Sequence, residues 1–155
     1  MITFPTITAH DLEGRAVRIP DDLPAGYRIV ILAFQRRHTE LIATWEPTLQ
    51  ELETRRRELS VWEVPALSRL YSPARALIAG GMRAGIADLK ARGHTLTVYT
   101  NRKALARNLD LSSLETIYVL LLASDGEVVW RGEGAADEAQ LRSLRMALEE
   151  LACET

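Results

Sequence analysis

The stretch YRIVILAFQRRHTELIATWEP, residues 27 to 47, limits what this chain can fold into more than any other. YRIVILAF is an unbroken apolar run of strand length, which reads as a buried strand over about 28–34. After a short polar turn, Leu41, Trp45, Leu49 and Leu52 recur at i, i+4, i+8 and i+11, the spacing of one helix face, so a helix is expected from about 40 to 57. Strand, short turn and helix together imply an α/β layer structure. Several α/β folds keep their chemistry in such a turn, which here reads Gln-Arg-Arg-His-Thr-Glu.

The rest of the chain extends the alternation. ITAHDLEGRAVRIP reads as two short strands around a turn at Glu13-Gly14, and PDDLPAG as a loop. LSVWEVPAL and TLTVYT read as further strands. SPARALIAGG reads as a helix with Ser72 as N-cap and Pro73 at its first position, stopping at Gly80-Gly81. MRAGIADLKARGH reads as irregular or a short turn, and NRKALARNLDL as a short helix. ETIYVLLLASDGEVVWRGEG is a hairpin around Ser124-Asp125-Gly126. A last helix has Leu141, Leu144, Leu148 and Leu151 on one face and Asp137 as its cap. At 155 residues, one domain over 1–155 is expected.

Composition narrows the function classes. A net charge of −2 gives no general attraction to nucleic acid or anionic membrane. Of the 19 basic residues 17 are Arg, with only Lys90 and Lys103 as lysines. The single cysteine, Cys153, forms no internal disulfide. No stretch approaches the roughly 18 apolar residues of a membrane span. MITFPTITAHDLEG lacks a charged region followed by an apolar one, so a cytoplasmic protein is expected. His10, His38 and His94 are far apart and no ligand-spaced motif is present, so neither metal nor cofactor is expected.

The order β-β-β-α-β-α-β-α-β-β-α resembles the thioredoxin-like fold: a mixed central sheet, helices on both faces, and the N-terminal β-hairpin of the peroxiredoxin-like and extracytoplasmic branch. The resemblance implies a strand ending in Phe, a first Cys five residues later, and a helix Pro five residues after the second Cys of C-x-x-C. Phe34 and Pro47 supply the anchors, and they agree on positions 39 and 42. These hold Thr39 and Ile42, so both thiols are absent. The proline that the family places before the hairpin is also missing, since that stretch reads Leu114-Glu115-Thr116-Ile117. Thiol–disulfide exchange needs an attacking and a leaving thiolate, and this turn has neither. Residues 28 to 150 more narrowly resemble the mitochondrial ATP-synthase assembly-factor family. The shared features are Arg83 in GMRAGI, the T-x-Y-T strand, Asp125-Gly126 with Trp130, and Trp45 with Pro47. That resemblance implies a polypeptide-binding, chaperone-like or assembly role and a polypeptide client.

Two functional readings follow. In the first, a redox-inactive thioredoxin-like module holds a polypeptide in the vacated groove or on a sheet edge. Its candidate surface is Arg36, Arg37, His38, Glu40, Trp45, Tyr71, Met82 and Arg83. In the second, Arg36, Arg37 and His38 bind an anion or small molecule at the helix N-terminus. The plainer readings are a solvated turn whose Arg pair with Glu, Thr39 as the helix N-cap, Glu40 as a first-turn acid that suits the helix dipole, and the tryptophans as core.

Overall fold

The structure is a computed structural model that describes residues 2–85 and 94–153. Seven strands form one sheet: β1 (Ile7–Asp11), β2 (Ala16–Ile19), β3 (Tyr27–Ala33), β4 (Leu59–Ser68), β5 (Leu96–Thr100), β6 (Tyr118–Leu122) and β7 (Val128–Glu133). Their order is β2-β1-β5-β4-β3-β6-β7. The central strands β5, β4 and β3 run parallel, and β1, β2, β6 and β7 add antiparallel partners on either side. The expected N-terminal hairpin is present. Its turn is held by Asp11, whose Oδ1 accepts the Glu13 and Arg15 N–H groups, each at 2.9 Å.

The apolar run of β3 is buried on both faces because its alternate residues feed two cores. Ile29, Ile31 and Ala33 meet the helix α1 (Thr39–Arg55) and the last helix, α4 (Glu138–Cys153). Val30, Leu32 and Phe34 point the other way, toward Leu105 and Leu109 beside the short helix α3 (Arg102–Asn108) and toward Phe4 and Leu23. β6 splits its residues between the same two cores. This is the period of two that a doubly covered strand requires. The hairpin β6–β7 turns at Gly126, whose φ of 89° suits glycine. α4 is capped as expected, since Asp137 Oδ1 accepts the Gln140 N–H at 2.8 Å. Among the described residues no helix is long and apolar enough to cross a membrane.

Three expectations for the helices need correction. Ser72 and Pro73 do not open an α-helix: residues Arg69–Ala74 form a 3-10 helix, and α2 runs over Arg75–Gly85. α2 also passes through Gly80-Gly81, because glycine weakens a helix by about 1 kcal/mol but ends it only where the backbone turns left-handed. The end of the stretch expected to be irregular, 86–93, lies outside the described residues. Finally, Thr39 is the first residue of α1, not its cap. The cap position is His38, in helical conformation, because the 3-10 turn Arg36–His38 runs straight into α1.

Candidate functional site

The parallel strands β3, β4 and β5 end at one edge of the sheet. The segments that follow them, 34–38, 69–74 and 101–103, gather there with the run 113–117 that enters β6. In open α/β sheets this carboxyl edge is where loops are free to bind ligands. The turn singled out in the sequence lies at its middle.

His38 organises that turn from the inside. It is only 1% exposed, which corrects the expectation that it belongs to a solvated surface. Its Nδ1 accepts the backbone N–H groups of Phe34 and Gln35, both at 3.2 Å. An acceptor Nδ1 places the proton of the neutral ring on Nε2, which is buried. Burial lowers the pKa of His38 below the ordinary value; a hydrogen bond with the Glu115 backbone opposes this, the neighbouring Arg37 charge adds to it, and the Glu115 charge opposes it. The imidazole is therefore a neutral structural acceptor.

Around it, polar side chains tie the turn to its neighbours. Gln35 Nε2 donates to the Leu114 carbonyl at 3.1 Å. Arg37 donates to Gln35 Oε1 at 2.7 Å and pairs with the carboxylate of Glu115. Arg102 donates to the Phe34 carbonyl at 3.0 Å. Arg37 is thus engaged with an exposed glutamate, as the plainer reading had it. The side chains of Arg36 and Arg83 lie outside the described residues. Thr39 and Glu40 are exposed at the start of α1, whereas Ile42 points into the core at 8% exposure.

Trp45 is also corrected. It is fully buried, its indole N–H donates to the Gly134 carbonyl at 2.7 Å, and it packs edge-on against Trp130. It sits on the inward stripe of α1 with Ile42, Leu49 and Leu52, so it holds the helix to the sheet and offers nothing to a ligand. Tyr71, by contrast, is exposed, and its neighbours Leu70 and Leu77 are more so, at 83% and 81%. Met82 is half-buried, with its sulfur accepting from the Thr97 hydroxyl on β5 at 3.7 Å. That contact places α2 on the same face of the sheet as α1.

Sequence reasoning missed a polar cluster on β4. Glu63 faces α1, and its pKa is pushed up to about 7, first by burial and then by the charge and hydrogen bond of Glu46. Two residues earlier, Val61 donates its N–H to Glu53 Oε2 at 2.8 Å, and its carbonyl lies 2.7 Å from His94 Nδ1. The His94 ring stacks on Trp62 at 4.5 Å. These side chains close the part of the β4 edge that β5 leaves unpaired. Nothing in the spacing of residues 46, 53, 63 and 94 signals this meeting. Among the described residues, no group of three or more His, Cys, Asp or Glu is placed to hold a metal ion.

No protein-family model and no curated protein matches the chain. Solved structures do. BsSco, a member of the Sco family of cytochrome c oxidase assembly proteins, superposes with a TM-score of 0.61 at 13% identity, covering 94% of this chain and 93% of its own. The exposed lipoprotein thioredoxin Etrx1 of Streptococcus pneumoniae gives 0.59 at 12% identity, covering 94% and 99%. The thioredoxin domain of a thiol-disulfide oxidoreductase from Bacteroides vulgatus gives 0.57 at 15%, covering 93% and 94%. At these identities the likeness establishes the thioredoxin-like fold and nothing finer.

Proposed function

We propose that this chain is a redox-inactive thioredoxin-like module that binds polypeptide at the carboxyl edge of its parallel strands. The observation that carries the reading is the exposure of Leu70, Tyr71 and Leu77, in the segment that follows β4 and in the helix after it, on a chain whose turn after β3 has no thiol. A contiguous apolar patch in water marks an interaction surface, and Leu70 and Tyr71 are adjacent in the chain. A sheet-edge mode is disfavoured, because both edges are blunted. On β2, the Arg18 N–H donates to the Asp22 carboxylate and the Arg18 carbonyl accepts the Asp22 N–H. On β7, the Gln140 amide meets both the N–H and the carbonyl of Glu133. Such covers remove the template for an added strand.

The chaperone-like or assembly role rests on the sequence resemblance to the ATP-synthase assembly factors alone; the likeness to BsSco, at 13% identity, speaks to the fold. The peroxiredoxin-like branch rests on the N-terminal hairpin alone. A cytoplasmic setting belongs to the same proposal, and fractionation of host cells tests it. The anion reading is weaker, because Arg37 is already paired with Glu115.

The test is binding of a reduced and alkylated unfolded polypeptide, followed by fluorescence anisotropy. Wild type binds, and the Leu70→Ser, Tyr71→Ser, Leu77→Ser variant loses binding while keeping its far-UV spectrum. Absence of binding by wild type, or equal binding by the variant, removes the proposal.

A further inference from the structure

The sheet is apolar under α1 and polar under α2. His10 on β1 and Thr97 on β5 are cross-strand partners, so their side chains share a face. On that face the Thr97 hydroxyl donates to the Met82 sulfur of α2 at 3.7 Å. Tyr99 lies there too, with its ring 6.4 Å from that of His10. Burial raises the pKa of Tyr99, and the charge of Arg75 on α2 opposes this. Arg75, Ile78 and Met82 recur at i, i+3 and i+7, so one stripe of α2 faces β5. The polar groups beneath it are poorly satisfied. Thr97 is buried, and its hydroxyl meets only a thioether, a weak acceptor. His10 Nδ1 is buried with no hydrogen-bond partner among the described residues. Water would satisfy both better than the closed structure does. The apolar side of the contact is slight. None of the described side chains from 69 to 82 is buried, and none belongs to either hydrophobic core. In α1, by contrast, Ile42, Trp45, Leu49 and Leu52 are each at most 8% exposed.

From this we infer that α2, with the 3-10 turn that leads into it, is a detachable cover: it opens from the β1–β5 face as a unit while the sheet, α1, α3 and α4 stay folded. Opening gives up the packing of Ile78 and Met82 and hydrates Thr97 and His10, so it costs far less than unfolding the whole chain. Elements that move in binding and regulation are drawn from this low-stability end of a structure. The open form bares the polar face of β1 and β5 and frees the segment that carries Leu70, Tyr71 and Leu77. The inference is independent of the polypeptide-binding reading, since it concerns the chain alone.

The test is amide hydrogen exchange on the full chain without any partner, resolved by residue and repeated at low urea concentrations. Amides 79–82 should be protected, but about a hundredfold or more below amides 49–52 of α1. Their exchange should respond little to urea, because local opening exposes little surface. Two mild variants separate local from global opening. Ile31→Val, in the core against α1, should lower protection at 49–52 by about two- to tenfold and leave 79–82 unchanged, since that core is intact in the open form. Thr97→Val replaces the ill-matched hydroxyl with a methyl group against Met82 and should raise protection at 79–82 by about tenfold. Equal protection and equal urea dependence in the two helices, or a parallel fall at 79–82 in Ile31→Val, overturns the inference, because α2 then opens only with the whole chain. No protection at 79–82 also overturns it, because the cover is then never closed. Unchanged or lower protection at 79–82 in Thr97→Val overturns the polar face as its cause.

Discussion

Replacing His38 with Leu removes an acceptor shared by two backbone N–H groups and leaves a side chain of similar volume. The Phe34 and Gln35 N–H groups then lose their partner at 3.2 Å. A buried donor left unsatisfied costs about 1–3 kcal/mol. Two fully buried donors would cost about 2–6 kcal/mol, but the Gln35 N–H lies at a part-buried residue and loses less. The expected net loss is about 1–3 kcal/mol. His38→Asn keeps an acceptor, Oδ1, at nearly the position of Nδ1 and should lose about half as much. The variants also carry a pH signature. Because the folded-state pKa of His38 lies below the ordinary value of 6.5, the unfolded chain binds the extra proton more readily. The stability His38 contributes is full above that value and declines as pH falls below it. Urea unfolding at pH 5, 6, 7 and 8 measures both effects, and the gap between wild type and His38→Leu should narrow toward pH 5. A variant as stable as wild type at pH 8, or a gap independent of pH, would refute the assignment of His38 as a buried neutral acceptor.

Other expectations follow from the same contacts. Glu63 has the opposite sign: its pKa is raised from 4.5 to about 7, so the folded state holds the proton longer and stability falls as pH rises through that window. Glu63→Gln should stabilise the protein at pH 8 by no more than about 3 kcal/mol and have little effect at pH 4, by urea unfolding. Gly132→Ala should cost about 1–3 kcal/mol in thermal unfolding, since an added Cβ would lie 2.7 Å from Trp130 and 2.8 Å from Trp45. Arg37→Ala should change stability by at most about 1 kcal/mol, because Arg37 and Glu115 are both exposed. Wild type and Arg37→Ala should show equal thermal shifts in sulfate relative to chloride at matched ionic strength. A gain confined to wild type would restore the anion reading. Insulin reduction with a dithiol donor should show no turnover in wild type or Cys153→Ser.

The order and type of the elements were legible because each carried a local signal. The apolar runs of β3 and β6, the period of 3.6 in α1 and α4, and a turn glycine at 126 are visible in any short window. That the turn after β3 carries no cysteine was legible directly from the sequence. The site's interior was not. The burial of His38 depends on a 3-10 turn folding the ring back under the end of β3, and helix-start rules do not anticipate a cap in helical conformation. Trp45 was assigned to both core and surface, and only the packing of α1 against Gly134 and Trp130 decides between them. The Glu63 cluster joins α1, β4 and the residue before β5 across long sequence separations. The exposure of Leu70 and Leu77 was equally hidden, because an apolar residue in a helix reads as core until the sheet beneath it is seen.

Hydrogen–deuterium exchange with and without saturating unfolded polypeptide tests the central claim most directly, because it reports where the partner lies. The account predicts slowed exchange in residues 34–39 and 69–82, with the edge strands at 16–19 and 128–133 unchanged. Protection confined to those edge strands, or none at 69–82 under saturation, would contradict it.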